Sequence, residues 1–351
     1  MVICEPPGEV AISHNVYYLT GFRQRPYHRP VLVILPVGGE PTLVVNAMWD
    51  TRAKEWTSLT DIRTYRGDAF NEVAVKVGAV LQDRTARQIG VDGHCIPWAW
   101  LEGLRKAAPS GAEFKDCGNI LVEMRMIKSK EEIELLRESA RLAGECMQVG
   151  IASIREGMTE IELSLKVQHA LLDRGLERKP GYLNLTSGVR STLGAQTASD
   201  KKIQRGDIVA FDFGGKYQGY SSDFERVAVV GQPSKEQRDW YELAFKAEQA
   251  AVKAVRPGVK IADVDAVPRE MLKRAGITYG HDTGHGVGLE THELPHISEG
   301  NNMILQPGMT FTVEPAVRVP EKYGMNLEDI VAVTETGVDL LSKFPHELFV
   351  V

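Results

Sequence analysis

The sequence predicts an α+β protein of two domains: a small α/β domain over residues 1–122, and a larger one over 123–351 made of two like halves about a pseudo-two-fold axis. Three observations carry this expectation. β-rich and amphipathic runs alternate before residue 122, an internal repeat spaced by 101 residues (256 − 155) runs through the remainder, and two hairpin-like segments each carry a pair of carboxylates. With 351 residues and 43% hydrophobic side chains, the chain is long for one core and has ample apolar content for two.

In the first domain VYYLTGF, PVLVILPV and PTLVVNA are β-rich and read as strands. NEVAVKVGAVLQD spaces its apolar residues as an amphipathic helix does, and QIGVDG reads as a short strand. Arg23, Arg25, His28 and Arg29 crowd the loop FRQRPYHRP, which reads as a solvated loop or as one reaching a neighbouring subunit's site.

The junction MRMIKSKEEIELLRESARLAGECMQVG begins a helix at Ser129, with Glu132 completing a capping box. Ile133, Leu136, Ala140, Ala143 and Met147 recur at helical spacing, so this helix packs by one face, and Cys146 belongs to its buried side. Thr159 and Glu162 cap a second helix that ends at Gly175.

Arg155, Gly157, Leu171, Gly175 and Leu176 then find counterparts in Arg256, Gly258, Leu272, Gly276 and Ile277, all 101 residues on (256 − 155), and Ala143 and Ala244 keep the register. The same step from Asp212 arrives one residue short of Glu314. Each half is therefore expected to be a helix pair followed by a hairpin, with a cleft where the halves meet.

IVAFDFGGKYQGYSSDFERVAVV reads as two strands around GGKYQG. Facing residues of an antiparallel pair share an index sum, and Asp212 with Asp223 gives 435, a turn centre between Tyr217 and Gln218. Two carboxylates side by side repel unless a cation neutralises them. Their neighbours Phe211, Phe213 and Phe224 argue against a solvated face. MTFTVEPAVRVPEKYGMNLEDIVAVTE repeats the geometry with Glu314 and Glu328, whose index sum of 642 centres on Glu321.

HDTGHGVGLETHELPH places four of the nine histidines in one glycine-rich stretch, His281, His285, His292 and His296. Glycines 284, 286 and 288 are expected to allow positive φ and to leave room beside His285. Asp212, Asp223, His285, Glu314 and Glu328 would then hold two divalent cations, their four carboxylates balancing the charge. A mostly oxygen set with one imidazole suits Mn²⁺, Co²⁺ or Zn²⁺.

FDFGGKYQGYSSD, TGHGVGLETHELP, VEP and NLED resemble the signature blocks of the pita-bread metallopeptidases, the creatinase/prolidase-type M24 family, and are closest to Xaa-Pro dipeptidases (prolidases) and aminopeptidase P. The resemblance covers nearly the whole chain, including NVYYLTGF and the junction. It implies a creatinase-like N-terminal domain that helps dimerisation and shapes the cleft, a pita-bread catalytic domain, two metals on the five residues named, and a homodimer. It further implies that a metal-bridging hydroxide attacks the peptide carbonyl. Glu314 would take the proton from water, His292 would steady the tetrahedral intermediate, and His281 would line the pocket for the residue after the cut; His296 receives no role.

Three positions depart from the family pattern. Ala195 stands where a substrate-facing histidine is usual, Asn326 where an arginine is usual, and Glu225 where threonine is usual. Glu225 is expected to share a strand face with Asp223, and either to bind the substrate's amino group or to pair with a base such as Arg190. A trimmed stretch ahead of NVYYLTGF leaves the usual N-terminal helix and strand nearly absent.

A net charge of −6 and a pI near 5.9, with no Lys/Arg stripe, argue against nucleic acid or an anionic membrane as partner. No apolar run reaches membrane-span length, the N-terminus lacks a signal-peptide pattern, and four cysteines without CxxC spacing fit a reduced cytoplasmic protein. The leading expectation is hydrolysis of Xaa-Pro dipeptides. Aminopeptidase P activity on longer proline-containing peptides, hydrolysis of a non-peptide C–N bond as in creatinase-like or ectoine-hydrolase-like relatives, and a non-enzymatic scaffold are the alternatives.

Overall fold

The computed structural model describes residues 2–4, 14–23, 29–67, 69–177, 183–194 and 196–351. The chain separates into two units, Met1–Met124 and Arg125–Val351. The expected Arg25 and His28 features and the Ala195 departure lie outside the described residues.

The first unit runs β1 (Val2–Cys4), α1 (His14–Thr20), β2 (Leu32–Ile34), β3 (Thr42–Asn46), α2 (Asp50–Trp56), β4 (Asp61–Tyr65), α3 (Ala69–Asp83), β5 (Gln88–Val91), α4 (Trp98–Ala107) and β6 (Glu113–Asp116), and α5 (Gly118–Met126) leads out of it. Its sheet has the order β4-β3-β2-β1-β5-β6. The runs PVLVILPV and PTLVVNA owe their continuous apolar character to burial on both faces of β2 and β3. Leu32, Ile34 and Val44 pack with α3 and α4, and Val31, Val33, Leu43 and Val45 with Val16, Trp49 and Ala53.

VYYLTGF is a correction: its first five residues close the helix α1 instead of forming a strand. Val16 and Thr20, one turn apart, both face inward, and the Thr20 hydroxyl donates to the Val16 carbonyl at 2.6 Å. Gly21, at φ +74°, ends the helix, so packing and a glycine stop outweigh the β preference of Val and Tyr. The strand expected to be nearly absent is present as β1, which joins β2 to β5.

The second unit begins with α6 (Lys130–Ser153) and α7 (Glu160–Asp173), both opened by the expected capping boxes. The sheet of the first half follows, with β7 (Leu183–Ser187), β8 (Ile208–Phe213), the small ribbon β9 (Lys216–Tyr217) and β10 (Tyr220–Ser221), and β11 (Phe224–Val229). The second half repeats the plan with α8 (Lys235–Ala254), α9 (Ile261–Arg274), β12 (Gly284–Gly286), β13 (Glu293–Ile297), β14 (Thr310–Val313), β15 (Ala316–Val319), β16 (Tyr323–Asn326) and β17 (Asp329–Val333). β18 (Val338–Leu340) and β19 (Phe349–Val350) complete the sheets, ordered β19-β11-β8-β7 and β13-β12-β14-β17-β18.

The duplication is exact at the helices. α9 is α7 displaced by 101 at both ends (261 − 160, 274 − 173), and α8 ends 101 residues after α6 (254 − 153). Gly157 and Gly258 share φ near +86°, at +87° and +85°, and Gly175 and Gly276 close their helices at +71° and +80°. The strands β7 and β12 begin 101 apart as well (284 − 183), so Asn184 and His285 occupy matching places. Phe211 and Phe213 turn toward α6 and α7, while Ile208 and Ala210 face α8, so Asp212 projects from the α8 side of the sheet.

Candidate metal centre

One cavity of about 520 Å³ in the second unit is lined by all five expected ligand residues, Asp212, Asp223, His285, Glu314 and Glu328, and by His281, His292 and His296. Donor atoms of His285, Glu314 and Glu328 lie within 4.8 Å of one another, and so do those of Asp212, Asp223 and Glu328 and those of Asp223, His285 and His292. The groups that the sequence brings together on paper therefore converge in space.

The first hairpin reaches this result by a different register. Asp212 faces Glu225, with index sum 437, and Asp223 sits just before β11, two residues from the pairing expected. The turn centre moves to between Gln218 and Gly219, with Gln218 at φ +46° and Gly219 at +85°. Two successive positive-φ residues fit the tight connection of a hairpin. In the second hairpin the expected sum of 642 holds along β14 and β17 and again along β15 and β16, and Glu321, at φ +60°, is in the turn.

His285 sits on β12, 7% exposed. Its Nδ1 donates to the Gly286 carbonyl at 3.1 Å, which leaves the Nε2 lone pair pointing at Glu314 Oε1 (3.4 Å) and Asp223 Oδ2 (3.9 Å). Burial lowers the pKa of this imidazole to about 4, so near neutral pH it turns a lone pair, not a proton, toward the two carboxylates. A cation satisfies that geometry. The expectation for its glycines is corrected: none of Gly284, Gly286 and Gly288 has positive φ. A Cβ on Gly284 would run into the Thr312 carbonyl and one on Gly286 into Leu294, so these glycines admit neighbouring backbone rather than a ligand.

The carboxylates register the same frustration. Burial raises Asp212 to about 6 and Glu314 to about 8, in the latter case with the Asp212 charge adding to it, and it holds Glu225 and Glu328 well above the usual range. Glu328 Oε1 is buried with no hydrogen-bond partner. Hard oxygen donors, one neutral imidazole lone pair and an unsatisfied carboxylate oxygen fit divalent ions of the Mn²⁺, Co²⁺ or Zn²⁺ kind.

Around these groups the supporting contacts are specific. The Asn184 amide donates to Asp212 Oδ2 at 2.8 Å, and the Thr312 hydroxyl, 3.2 Å from Glu314 Oε1, accepts from the His285 N–H at 3.1 Å. His292 stacks on His285 with ring centroids 3.8 Å apart. Behind it, Glu293 is gripped by Arg125 at 2.5 Å and Lys128 at 2.5 Å, all three largely buried. His281 donates from Nδ1 to the Asp282 carbonyl at 2.7 Å and keeps a buried, unpartnered Nε2; burial lowers its pKa. His296, at the half-exposed rim, lies 3.4 Å from Asp282.

The remaining departures resolve unevenly. Arg190 is not the partner of Glu225; it pairs with buried Glu160 at 3.1 Å. Glu225 instead faces Asp212 in the cavity, where burial and the Asp212 charge raise its pKa and the Asn326 side chain works against that rise. Sequence reading missed Arg318, a cavity-lining cation on β15. Its even-number parity with Thr312 and Glu314 is the signal that could have found it.

A two-unit α+β chain whose duplicated half-domains pool carboxylates and an imidazole in one cavity has the architecture of a metal-dependent peptidase. The chain belongs to metallopeptidase family M24, whose model matches residues 134–335, and a Creatinase/Prolidase N-terminal domain model matches residues 1–127. It is 34% identical to a Pyrococcus furiosus Xaa-Pro dipeptidase over 97% of this chain and 94% of that one. An uncharacterized peptidase of Bacillus subtilis, YqhT, is 36% identical over 97% and 94%. Among solved structures, the X-Pro aminopeptidase from Thermotoga maritima superposes with a TM-score of 0.90 at 27% identity, covering 100% and 97%, and the Pyrococcus furiosus prolidase with 0.84 at 33%, covering 98% and 96%. Among the described residues no helix is long and apolar enough to cross a membrane.

Proposed function

We propose that this protein is a two-metal exopeptidase that hydrolyses Xaa-Pro dipeptides, with Asp212, Asp223, His285, Glu314 and Glu328 as ligands. The observation that carries the reading is the His285 Nε2 lone pair directed at Glu314 and Asp223 across a cavity that the other two carboxylates also line. When bound, a pair of divalent ions supplies Lewis acidity toward a water and the scissile carbonyl.

The protein's own groups handle protons and position. Glu314, as a carboxylate, accepts the proton that the attacking water gives up and can return it to the proline nitrogen, which leaves only once protonated. His292, propped by the Glu293–Lys128–Arg125 cluster, presents its ring edge to the developing negative charge, and His281 lines the pocket beyond the scissile bond. The amino-terminal domain over residues 1–122 would contribute dimerisation and cleft shape to a cytoplasmic homodimer. Relatives named for dipeptidase activity favour dipeptides, and the fit to an X-Pro aminopeptidase favours Xaa-Pro-Yaa peptides as the second reading.

Purified protein loaded in turn with Mn²⁺, Co²⁺ and Zn²⁺, its metal content measured, would be offered Xaa-Pro dipeptides, Xaa-Pro-Yaa peptides and small guanidino compounds. Turnover of dipeptides well above the tripeptides is expected. Turnover of guanidino compounds alone would move the assignment to non-peptide C–N hydrolysis, and turnover of none would overturn it.

A further inference from the structure

Two loops wall the cavity, one from each half, and each follows the first strand of its half. The loop after β12 carries His292 and is fixed by Glu293 between Arg125 and Lys128. After β7, Gly188–Leu193 forms a short 3-10 turn, and Ser191, Leu193, Gly194 and Gln196 line the cavity. At the 101-residue step Ser191 is the counterpart of His292 (292 − 191). The counterpart of Glu293 is Thr192 (293 − 192), whose hydroxyl stays local and donates to the Val189 carbonyl at 2.7 Å. The first-half loop therefore takes its anchor from elsewhere.

Glu160 supplies it. This fully buried carboxylate is the first residue of α7, and while Glu162 caps the helix with Thr159, Glu160 turns inward. Its Oε1 accepts from the Ser187 N–H (2.7 Å) and hydroxyl (2.9 Å), and its Oε2 from Arg190 Nε (3.1 Å) and from the Ser199 N–H (2.9 Å) and hydroxyl (2.8 Å). Arg190 extends the hold, its Nη2 donating to the Thr197 carbonyl at 2.8 Å. Both ends of the wall, Ser187 and Ser199, thus hang on one carboxylate. Taking such a charge out of water is costly, and a hydrocarbon of similar size often serves stability as well. The duplication makes that comparison within one chain. The counterpart of Glu160 is Ile261 (261 − 160), also fully buried at the first position of its helix. The same helix pair closes there without a charge, so the acid answers a need of the loop and not of the fold.

We propose that Glu160 is a positioning residue for substrate binding: it touches no substrate, and it holds residues 187–194 and 196–199 in the shape that makes them a wall of the cavity. The inference rests on the Xaa-Pro reading above for its substrate, and on geometry alone for the anchoring. Under the rival role, in which the Glu160–Arg190 pair only stabilises the fold, a folded variant binds substrate as wild type does.

The test compares metal-loaded wild type, Glu160→Gln and Ser199→Ala on an Xaa-Pro dipeptide. In E160Q the amide nitrogen that replaces one oxygen cannot accept, so one end of the wall loses its anchor. KM is expected to rise about 10- to 100-fold, with kcat within about threefold of wild type and the same metal content. S199A deletes one hydroxyl and leaves Arg190 paired; it is expected to raise KM about threefold, and it carries the test if E160Q does not fold. An unchanged KM in the folded variants, a fall in kcat at constant KM, or a loss of bound metal would overturn the proposal. Hydrogen exchange needs no turnover: in E160Q the amides of 187–194 and 196–199 are expected to exchange at least about tenfold faster, while those of β12 and β13 keep the wild-type rate. A wall that exchanges as in wild type, or an acceleration shared by both halves, sinks the role of Glu160 even in an active enzyme. Failure of wild type on every Xaa-Pro substrate sinks the reading beneath it instead, and the exchange measurement still decides whether Glu160 holds the wall.

Discussion

Glu225 and Glu328 exchange backbone hydrogen bonds in both directions, each N–H donating to the other's carbonyl at 3.3 Å. Reciprocal bonding of this kind is what a two-fold axis demands of the residues lying on it. The register agrees, since Asp212 is opposite Glu225 as Glu314 is in line with Glu328. The symmetry mate of Glu328 is therefore Glu225, and Asp223 stands outside the symmetric set. Glu225 is an acid beyond the five proposed ligands, with a pKa held well above the usual range by burial and by the Asp212 charge. Replacing it by Gln is expected to raise the Tm of metal-free protein at pH 8 by a few degrees, and to shrink the gain in Tm that metal brings. A lower Tm for the metal-free variant would contradict this.

Metal-free stability should fall as the pH rises. Glu314 titrates near 8 in the fold against about 4.5 unfolded, so the native state binds more protons across that interval. Its contribution is complete below about pH 4.5 and lost as the pH passes through 8. Asp212, at about 6, acts in the same direction over a lower range. Calorimetric scans from pH 5 to 8.5 should show a declining Tm without metal, and a stabilisation by added Mn²⁺ that grows with pH because ligands must shed protons to bind. A metal-induced shift that is constant with pH would disprove the link.

Arg226 ties the two halves behind the site. Its Nη1 donates to the carbonyls of Glu225 (2.9 Å) and Glu328 (2.8 Å), and Nη2 to Asp329 Oδ1 at 2.8 Å, with both members of the ion pair fully buried. Asp329 is also bonded by Ser342 and His346. Arg226→Met removes one side of a buried pair and should cost about 3–5 kcal/mol in urea unfolding. The double variant Arg226→Met/Asp329→Leu should recover part of that loss; a single variant as stable as wild type would refute the claim.

On the proposed mechanism, Glu293, held by two buried cations, positions the adjacent His292 rather than touching substrate. Converting Lys128 to Met leaves Glu293 with Arg125 alone, and the loop bearing His292 loses one of its two buried anchors. The expected result is a kcat reduced about tenfold, with little change in KM and full metal content. A change confined to KM would argue for another role.

Gly284→Ala tests the close approach of β12 to β14. With a Cβ driven against the Thr312 carbonyl, the strands must part, displacing the neighbouring His285. Loss of about 2 kcal/mol or more together with weaker metal binding is expected; a variant with native metal affinity would show that the strands tolerate the methyl.

Much of this was legible from residue order alone. The capping boxes at Ser129 and Thr159, the 101-residue step and the convergence of Asp212, Asp223, His285, Glu314 and Glu328 on one cavity follow local rules, spacing and charge, all of which a sequence displays. The failures have a common origin. Index sums cannot see that the first hairpin turns at Gln218–Gly219, so Asp223 was given the partner that belongs to Glu225. Glycine's two uses look identical in a sequence, and at 284 and 286 the need was for closeness, not for positive φ. VYYLTGF has strand composition, yet its helix depends on which residues meet Val31, Val33 and Leu43 in three dimensions.

Asn184 and His285, mates across the 101-residue step, give the two copies different chemistry from the same address. An amide nitrogen carries no lone pair to offer an ion, whereas an imidazole does. On the proposed ligand set one socket would be all oxygen and hard, its twin tempered by nitrogen, and borderline cations such as Co²⁺ and Zn²⁺ would be expected to enter the second before the first. A doubled chain has in this way become lopsided, with an amide at one address and an imidazole at the other.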